Sequence, residues 1–120
     1  GTVVRPAPAA FTGELIILIG PANTSGATQI IGALRDQRGA LLVGEPTGGS
    51  QEGPTAGVLV FVELPHSGVR IRVPVQRAYQ NLADPAFGQG YAPDIAAPDT
   101  LASWLDGRDP ALDAALAAAR

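Results

Sequence analysis

The strongest constraint on the fold is a pair of short apolar runs separated by a helical pattern. Glu14–Ile19 and Ala40–Val43 are almost continuously apolar and rich in branched side chains. Runs of this length indicate strands that are covered on both faces. Between them the apolar positions follow the i, i+3, i+4, i+7 spacing of an amphipathic helix, at Ala27, Ile30, Ile31 and Leu34. The segment therefore predicts a strand-helix-strand unit in an α/β fold, with a right-handed crossover if the strands are parallel.

Downstream, the pattern changes from buried strands to a hairpin. Val58–Leu64 is strand-like, Pro65–Gly68 has turn composition, and Val69–Val75 alternates apolar residues with Arg70, Arg72 and Pro74. Pro74 cannot donate to a strand ladder, which places the second strand near an edge. Residues from Gln76 to Pro98 have the composition of a loop.

The two ends of the chain differ in how much secondary structure their sequences predict. Residues 1–12 contain two prolines among small residues and suit an extended leading segment or a linker remnant, which leaves 13–120 as the folded part. At the other end, Leu101–Leu105 predicts a short helix. Asp109 as N-cap, followed by proline at the first helical position, predicts a last helix that runs to Arg120.

Composition limits the partners. The chain has 120 residues, 46% of them hydrophobic and 16% charged, which is enough for one small globular domain. Its net charge of -3 provides no basic surface for phosphates, which argues against nucleic acid or an anionic membrane as partner. The longest apolar run, Leu15–Ile19, is too short to span a bilayer. A polypeptide or small-molecule partner is favoured.

The missing residue types exclude several chemistries. There is no cysteine, so disulfides and thiolate metal sites are ruled out, and we expect neither a metal nor a cofactor. All 8 basic residues are arginines, so this chain cannot supply a Ser-Lys dyad or the lysine of a phosphate-binding loop. His66 is the one imidazole, and its Pro-His-Ser-Gly context predicts a solvated turn rather than a catalytic base.

The turn after the first strand holds the candidate nucleophile. Asn23–Ala27 falls at a predicted helix N-terminus, where free amides and the helix dipole can stabilise an oxyanion next to a serine. From local sequence alone, the favoured interpretation is that Thr24 and Ser25 are only helix caps. Local sequence leaves both interpretations open.

The wider pattern resembles the tail-specific, carboxyl-terminal-processing serine peptidases. Five segments in order carry the resemblance: Asn23–Gln29 with the helix after it, Ala40–Gly49, Val62–Gly68, Gly90–Ile95 and Gly107–Leu112. It covers the chain from about Phe11 to the end. It implies the carboxyl-terminal half of a ClpP/crotonase-like catalytic domain and peptide hydrolysis by acyl transfer. Family members of this kind are often exported or periplasmic, but the residues themselves leave localisation open.

The resemblance also implies roles for individual residues. Aligned on Gly44–Thr47, Ser25 falls on the nucleophile and the backbone N–H of Gly26 on an oxyanion donor. Ser50 falls where one branch of the family carries its lysine base, and a serine hydroxyl cannot act as a base near neutral pH. The chain is more similar to the branch of the tricorn core and the photoreceptor retinoid-binding protein, which has T-G-G in this loop. In active members of that branch an upstream histidine is the base. The implied cleft is lined by Thr24, Gly48, Gly49 and Ser50.

Several further expectations follow. Asp84 and Asp94 are weak candidates for orienting an incoming histidine, and Asp94 is better explained as structural. Asp36 is expected to be solvated, with Arg35 or Arg38 as its neighbour. If the base lies outside the chain, the chain alone should be inactive. The rival hypothesis is a non-catalytic module that binds a peptide or apolar ligand on the same fold. With few helices to cover its two strands, the chain is also expected to form a homodimer or a swapped dimer through exposed apolar surface.

Overall fold

The structure, a computed structural model, describes residues 6–79, 82 and 85–119. Its centre is a three-stranded parallel sheet of β1 (Ile16–Ile19), β2 (Leu41–Gly44) and β5 (Ile95–Ala96), with β2 in the middle. In the register, Ile17 lies opposite Leu42, and Val43 lies opposite Ile95. The predicted α/β class and the parallel strand-helix-strand unit are confirmed.

Helix α1 (Gly26–Arg38) makes the crossover from β1 to β2. It ends at Gly39, which has φ 61°, a left-handed conformation that glycine adopts without strain. Ile31 packs in the core with Ile19, Leu42 and Tyr91. The predicted apolar stripe is wrong in one respect, because Ile30 is 63% exposed. The buried positions are instead Thr28, Ile31 and Gly32, so the buried stripe is displaced by about one residue position, roughly 100° around the helix axis.

Strand β5 was predicted as loop. It contains two residues, too few for any alternation to be read from the sequence. Its position is fixed by Asp94 directly before it. The Asp94 amide donates to the Leu42 carbonyl at 2.8 Å, its carboxylate accepts from the Leu42 amide at 2.9 Å, and Arg35 donates to the same carboxylate at 2.7 Å. Asp94 therefore joins β5, β2 and α1, in agreement with the structural role expected for it.

The carboxyl-terminal part contributes two short helices. Helix α2 (Leu101–Leu105) begins with a capping box, in which Thr100 and Ser103 exchange hydrogen bonds. Helix α3 (Pro110–Ala118) begins as predicted, with Asp109 Oδ1 accepting from the Leu112 amide at 2.9 Å. Helix α3 packs against β1 and β2.

The central strand is covered on both faces. Leu42 and Val43 are adjacent and point to opposite sides of the sheet, and both are 0% exposed. Leu42 belongs to the cluster that contains Ile31 of α1, while α3 contacts the same two strands. The expectation that these strands would leave apolar surface uncovered is therefore wrong for β2, because α3 folds back onto the sheet.

A continuous exposed apolar surface lies on the hairpin, in addition to exposed apolar side chains elsewhere, such as Leu101, Trp104 and Leu105 of α2. Strands β3 (Leu59–Glu63) and β4 (Arg70–Pro74) pair antiparallel, with Val62 opposite Ile71, and every residue in them is exposed. The radius of gyration, 18.3 Å, exceeds the ~14 Å typical of a compact domain of this length, as expected for a chain with a projecting hairpin. No helix in the described part of the chain is long and apolar enough to cross a membrane.

Candidate active site

The candidate site begins with a tight turn at the carboxyl end of β1. The Asn23 amide donates to the Gly20 carbonyl at 2.9 Å, and the Gly20 amide donates back to Asn23 Oδ1 at 2.7 Å. This reciprocal pair reverses the chain within four residues, as asparagine side chains commonly do in turns. The next residues therefore emerge at the carboxyl edge of the parallel sheet, where ligands of α/β proteins generally bind.

Ser25 has the most unusual backbone conformation in the described residues. Its φ of 54° and ψ of -122° make it the one non-glycine residue with positive φ in ranges 6–79, 82 and 85–119. This region is normally reserved for glycine and costs about 1–3 kcal/mol for other residues. A serine held on a strained strand-to-helix turn is the arrangement that presents the nucleophile in α/β hydrolases. We call the segment 23–26 the elbow.

The side chain of Ser25 is not used as a helix cap. It occupies the N-cap position of α1 but makes no side-chain cap hydrogen bond, and the residue is exposed. Instead, Thr28 Oγ1 donates to the Ser25 carbonyl at 2.6 Å, which holds the strained backbone while leaving the Ser25 hydroxyl at the surface. Of the two interpretations left open by the sequence, the capping one is contradicted for Ser25.

The amide of Gly26 is placed to serve as a hydrogen-bond donor to a ligand. Gly26 is the first residue of α1, where backbone N–H groups lack intrahelical acceptors, and the helix dipole adds positive potential. The following amide, that of Ala27, is already engaged by the Thr24 carbonyl at 3.1 Å. A Cβ added at Gly26 would meet no atom within 4 Å, so the space beside its Cα is open.

The glycine-rich loop after β2 lies directly against the elbow. The Gly49 amide donates to the Asn23 carbonyl at 3.0 Å. A Cβ at Gly49 would lie 2.8 Å from Thr24 Cα and 2.7 Å from Thr28 Cγ2, and one at Gly48 would overlap the Pro21 carbonyl oxygen. Glycine is required at both positions because backbone meets backbone. Thr24, Gly48 and Gly49 are thus brought beside Ser25.

Two residues whose supporting contacts the sequence could not predict, Thr47 and Gln51, hold this loop in place. Thr47 is buried, and its hydroxyl donates to the Gly49 carbonyl at 3.0 Å while accepting from the Tyr91 amide at 2.8 Å. Gln51 donates to the Gly90 carbonyl at 2.9 Å. Ser50, half-buried, lies between them in the chain. The sequence signal for Thr47 was its place in T-G-G, but its partner lies 44 residues away and could not be inferred.

Two titratable groups near the loop are shifted. The pKa of Glu52 is lowered, chiefly because the Gly88 amide donates to its carboxylate at 2.7 Å, with a smaller contribution from Arg77 at 2.8 Å. Burial raises the pKa of Tyr91. The Glu52 shift comes from a contact that supports the loop and the Tyr91 shift from burial, and neither comes from a group beside Ser25.

The remaining candidates lie elsewhere. His66 is exposed in the turn that joins β3 to β4, as predicted from its context. Asp36 is exposed, and the arginines expected beside it bind other groups: Arg35 pairs with Asp94, and Arg38 donates to the carbonyls of residues 11 and 13. Asp84 lies outside the described residues. A cavity of about 570 Å³ lies between α1 and residues 86–92, but Ser25 does not line it.

Fold and site together describe an α/β protein with a strained serine on a strand-to-helix turn, backed by a glycine-rich loop. The comparison with protein families agrees with that class. The chain matches the model of peptidase family S41 over residues 3–97, most of its length, and belongs to that family. The family match confirms the resemblance to carboxyl-terminal-processing peptidases and indicates a polypeptide substrate. A search of curated proteins finds no match.

Proposed function

We propose that this chain carries the nucleophile of a serine-type endopeptidase of the tail-specific kind, with Ser25 as the attacking residue. The observation that carries the proposal is the elbow: a serine at φ 54°, ψ -122°, with an exposed hydroxyl that caps nothing. Backbone strain is expensive, and a residue used only for packing or capping has no need of it.

In the proposed reaction, Ser25 Oγ attacks the carbonyl carbon of the scissile peptide and gives its proton to a general base. The carbonyl oxygen becomes an oxyanion, which accepts a hydrogen bond from the Gly26 amide. Collapse of this intermediate breaks the C–N bond, and the base returns the proton to the leaving amine. Water then hydrolyses the acyl-enzyme. The base takes a proton from the water as its oxygen attacks the acyl carbon, and Ser25 Oγ leaves and takes the proton back. Thr24, Gly48, Gly49 and Ser50 line the substrate cleft.

The base is proposed to come from outside this chain. The sequence has no lysine, and His66 lies at the exposed end of a hairpin whose main contacts are internal. Asp94 is engaged by Arg35 and by the Leu42 amide. The chain alone should therefore bind a reactive electrophile at Ser25 but should not turn over peptides.

The rival function is a binding module that retains the fold without catalysis. Its cleft would bind a peptide or apolar ligand and would have no use for a reactive serine. The elbow strain favours the peptidase, because simple binding surfaces do not require a glycine-like backbone at a serine. The two functions differ in one measurable property, the reactivity of the Ser25 hydroxyl.

That reactivity can be measured with a fluorophosphonate probe and peptide mapping. We expect Ser25 to be labelled at least about tenfold faster than Ser67, because the Gly26 amide stabilises the charge that develops on the probe. Ser67 is a control within the same molecule, since it is exposed in the hairpin turn. Equal labelling of the two serines would show that the elbow alone gives Ser25 no added reactivity, which would count against the nucleophile assignment and favour the binding module.

A casein assay on the same chain tests the missing base. We expect no turnover. Turnover that disappears in Ser25→Ala but persists in Ser67→Ala would confirm the nucleophile and show that the base lies within the chain, which would reinstate His66.

A further inference from the structure

The hairpin has one face that is entirely aliphatic. Strand alternation and the β3–β4 register place eight residues on it. Pairing extends beyond the strands, because the Val75 amide donates to the Val58 carbonyl at 3.0 Å and the Leu64 amide donates to the Val69 carbonyl at 2.9 Å. We call this surface the aliphatic face: Val58, Val60, Val62, Leu64, Val69, Ile71, Val73 and Val75, which are between 37% and 57% exposed.

The opposite face of the hairpin has a different chemistry. It carries the charges of Glu63, Arg70 and Arg72, and the Arg70 guanidinium lies 5.1 Å from the centre of the Phe61 ring. Its three charged side chains can be solvated, although Leu59, Phe61 and Pro74 lie on the same face. The aliphatic face has no polar side chain that water or a small ligand could use for orientation.

A hairpin in this state needs a partner. Two isolated strands are marginally stable in water and require a third strand, a helix or another sheet to cover their apolar side. In the described part of the chain, β3 and β4 make their substantial contacts with each other. The helices that cover the central sheet do not extend over them.

We propose that a second copy of this chain covers the aliphatic face, so that two hairpins pack face to face as a four-stranded sandwich. The eight residues expose about 600 Å² per copy, so a symmetric contact removes about 1,200 Å² from water, which reaches the range of specific dimers. The surface is self-complementary because it is uncharged and aliphatic throughout. A two-fold contact therefore brings no like charges together.

A lipid surface fits the hairpin less well. Membrane-binding elements place basic residues beside the apolar surface, where they reach the headgroups. Here Arg70 and Arg72 lie on the side that faces away from the aliphatic face. Membrane binding is therefore the alternative that the second test below distinguishes from a dimer.

The first test compares two adjacent charge substitutions by light scattering. Val62→Glu inserts a carboxylate in the aliphatic face, whereas Phe61→Glu places one on the opposite face, across from Arg72. We expect the parent chain and Phe61→Glu to have twice the 12.2 kDa monomer mass and Val62→Glu to be monomeric. A monomeric parent chain at high concentration, or a dimer unaffected by Val62→Glu, overturns the proposal.

The second test does not depend on a disruptive variant. Since the chain has no cysteine, single thiols can be introduced at Val60 and at Phe61 and their reaction with a colorimetric disulfide followed. We expect Val60→Cys to react slowly at high protein concentration and at least tenfold faster on dilution, and Phe61→Cys to react at one rate throughout. A Val60→Cys thiol that reacts fast at every protein concentration refutes the dimer. If the chain is monomeric and floats with phospholipid vesicles, the aliphatic face binds a membrane instead of a second copy.

Discussion

Replacing Ser25 by glycine should stabilise this protein, which is the reverse of the usual effect at a helix N-cap. The residue sits at φ 54°, ψ -122°, where a side chain costs about 1–3 kcal/mol and glycine costs none. Glycine also loses more backbone entropy on folding, which offsets about 0.4–1 kcal/mol. The net expectation is a gain of about 1 kcal/mol for Ser25→Gly.

Ser25→Ala separates strain from hydrogen bonding. Alanine keeps the strain because it keeps the Cβ, and it loses no cap because the Ser25 side chain makes no cap hydrogen bond. Its stability should lie within about 0.5 kcal/mol of the parent chain. If Ser25 were an ordinary N-cap, alanine would cost about 1 kcal/mol and glycine a few tenths.

The assay is urea or thermal unfolding followed by helical circular dichroism. For 120 residues the entropy of unfolding is about 0.25 kcal/mol per kelvin, so 1 kcal/mol corresponds to about 4 °C. Asp109 is the matched control, because its carboxylate caps α3 through the Leu112 amide at 2.9 Å. Asp109→Ala should lose about 1 kcal/mol. A Ser25→Gly variant less stable than the parent, with Ser25→Ala falling as Asp109→Ala does, would refute the strained elbow.

Three further predictions concern the supports of the site. Gly49→Ala should cost about 1–3 kcal/mol in urea unfolding because its Cβ would press on the elbow, whereas Gly20→Ala, with no atom within 4 Å, should be nearly neutral; equal losses would contradict the packing. Asp94→Ala should cost about 2 kcal/mol by the same assay, since the Leu42 amide loses its carboxylate acceptor, and an unchanged midpoint would count against this anchor. The lowered pKa of Glu52 contributes stability above about pH 4.5, and this stability is lost as the pH falls through the pKa of the folded state. Glu52→Gln should therefore flatten the acid limb of the curve of unfolding free energy against pH. An acid limb identical to that of the parent chain would disprove the Gly88 contact.

The sequence predicted those parts of the fold that are encoded locally. The crossover unit and the Asp109 cap follow from periodicity and from residues within a few positions of each other. It could not predict β5, because two residues have no period and depend on Asp94 reaching Leu42 across 52 positions. It also misplaced Ile30, because two of the three buried positions of α1, Thr28 and Gly32, carry no apolar side chain and therefore give no signal in an apolar periodicity.

For the candidate site, the sequence indicated the serine and the loop but not what makes the serine unusual. Nothing in Asn23–Gly26 specifies a positive φ, which arises because Gly49 and Thr28 hold the elbow from two sides. The support from Thr47 was missed for the same reason, as its partner Tyr91 is distant in sequence. The roles of Ser25 and Gly26 in catalysis stay predictions until labelling is measured.

The anchoring of β5 by Asp94 has a consequence for the order of folding. Strand-helix-strand contacts between β1, α1 and β2 close short loops, whereas Asp94 reaches Arg35 across 59 residues and Leu42 across 52. Closing such loops costs more chain entropy and is generally deferred until a local nucleus exists. The third strand should therefore dock after the rate-limiting step. Weakening its anchor would then accelerate unfolding while leaving the folding rate nearly unchanged.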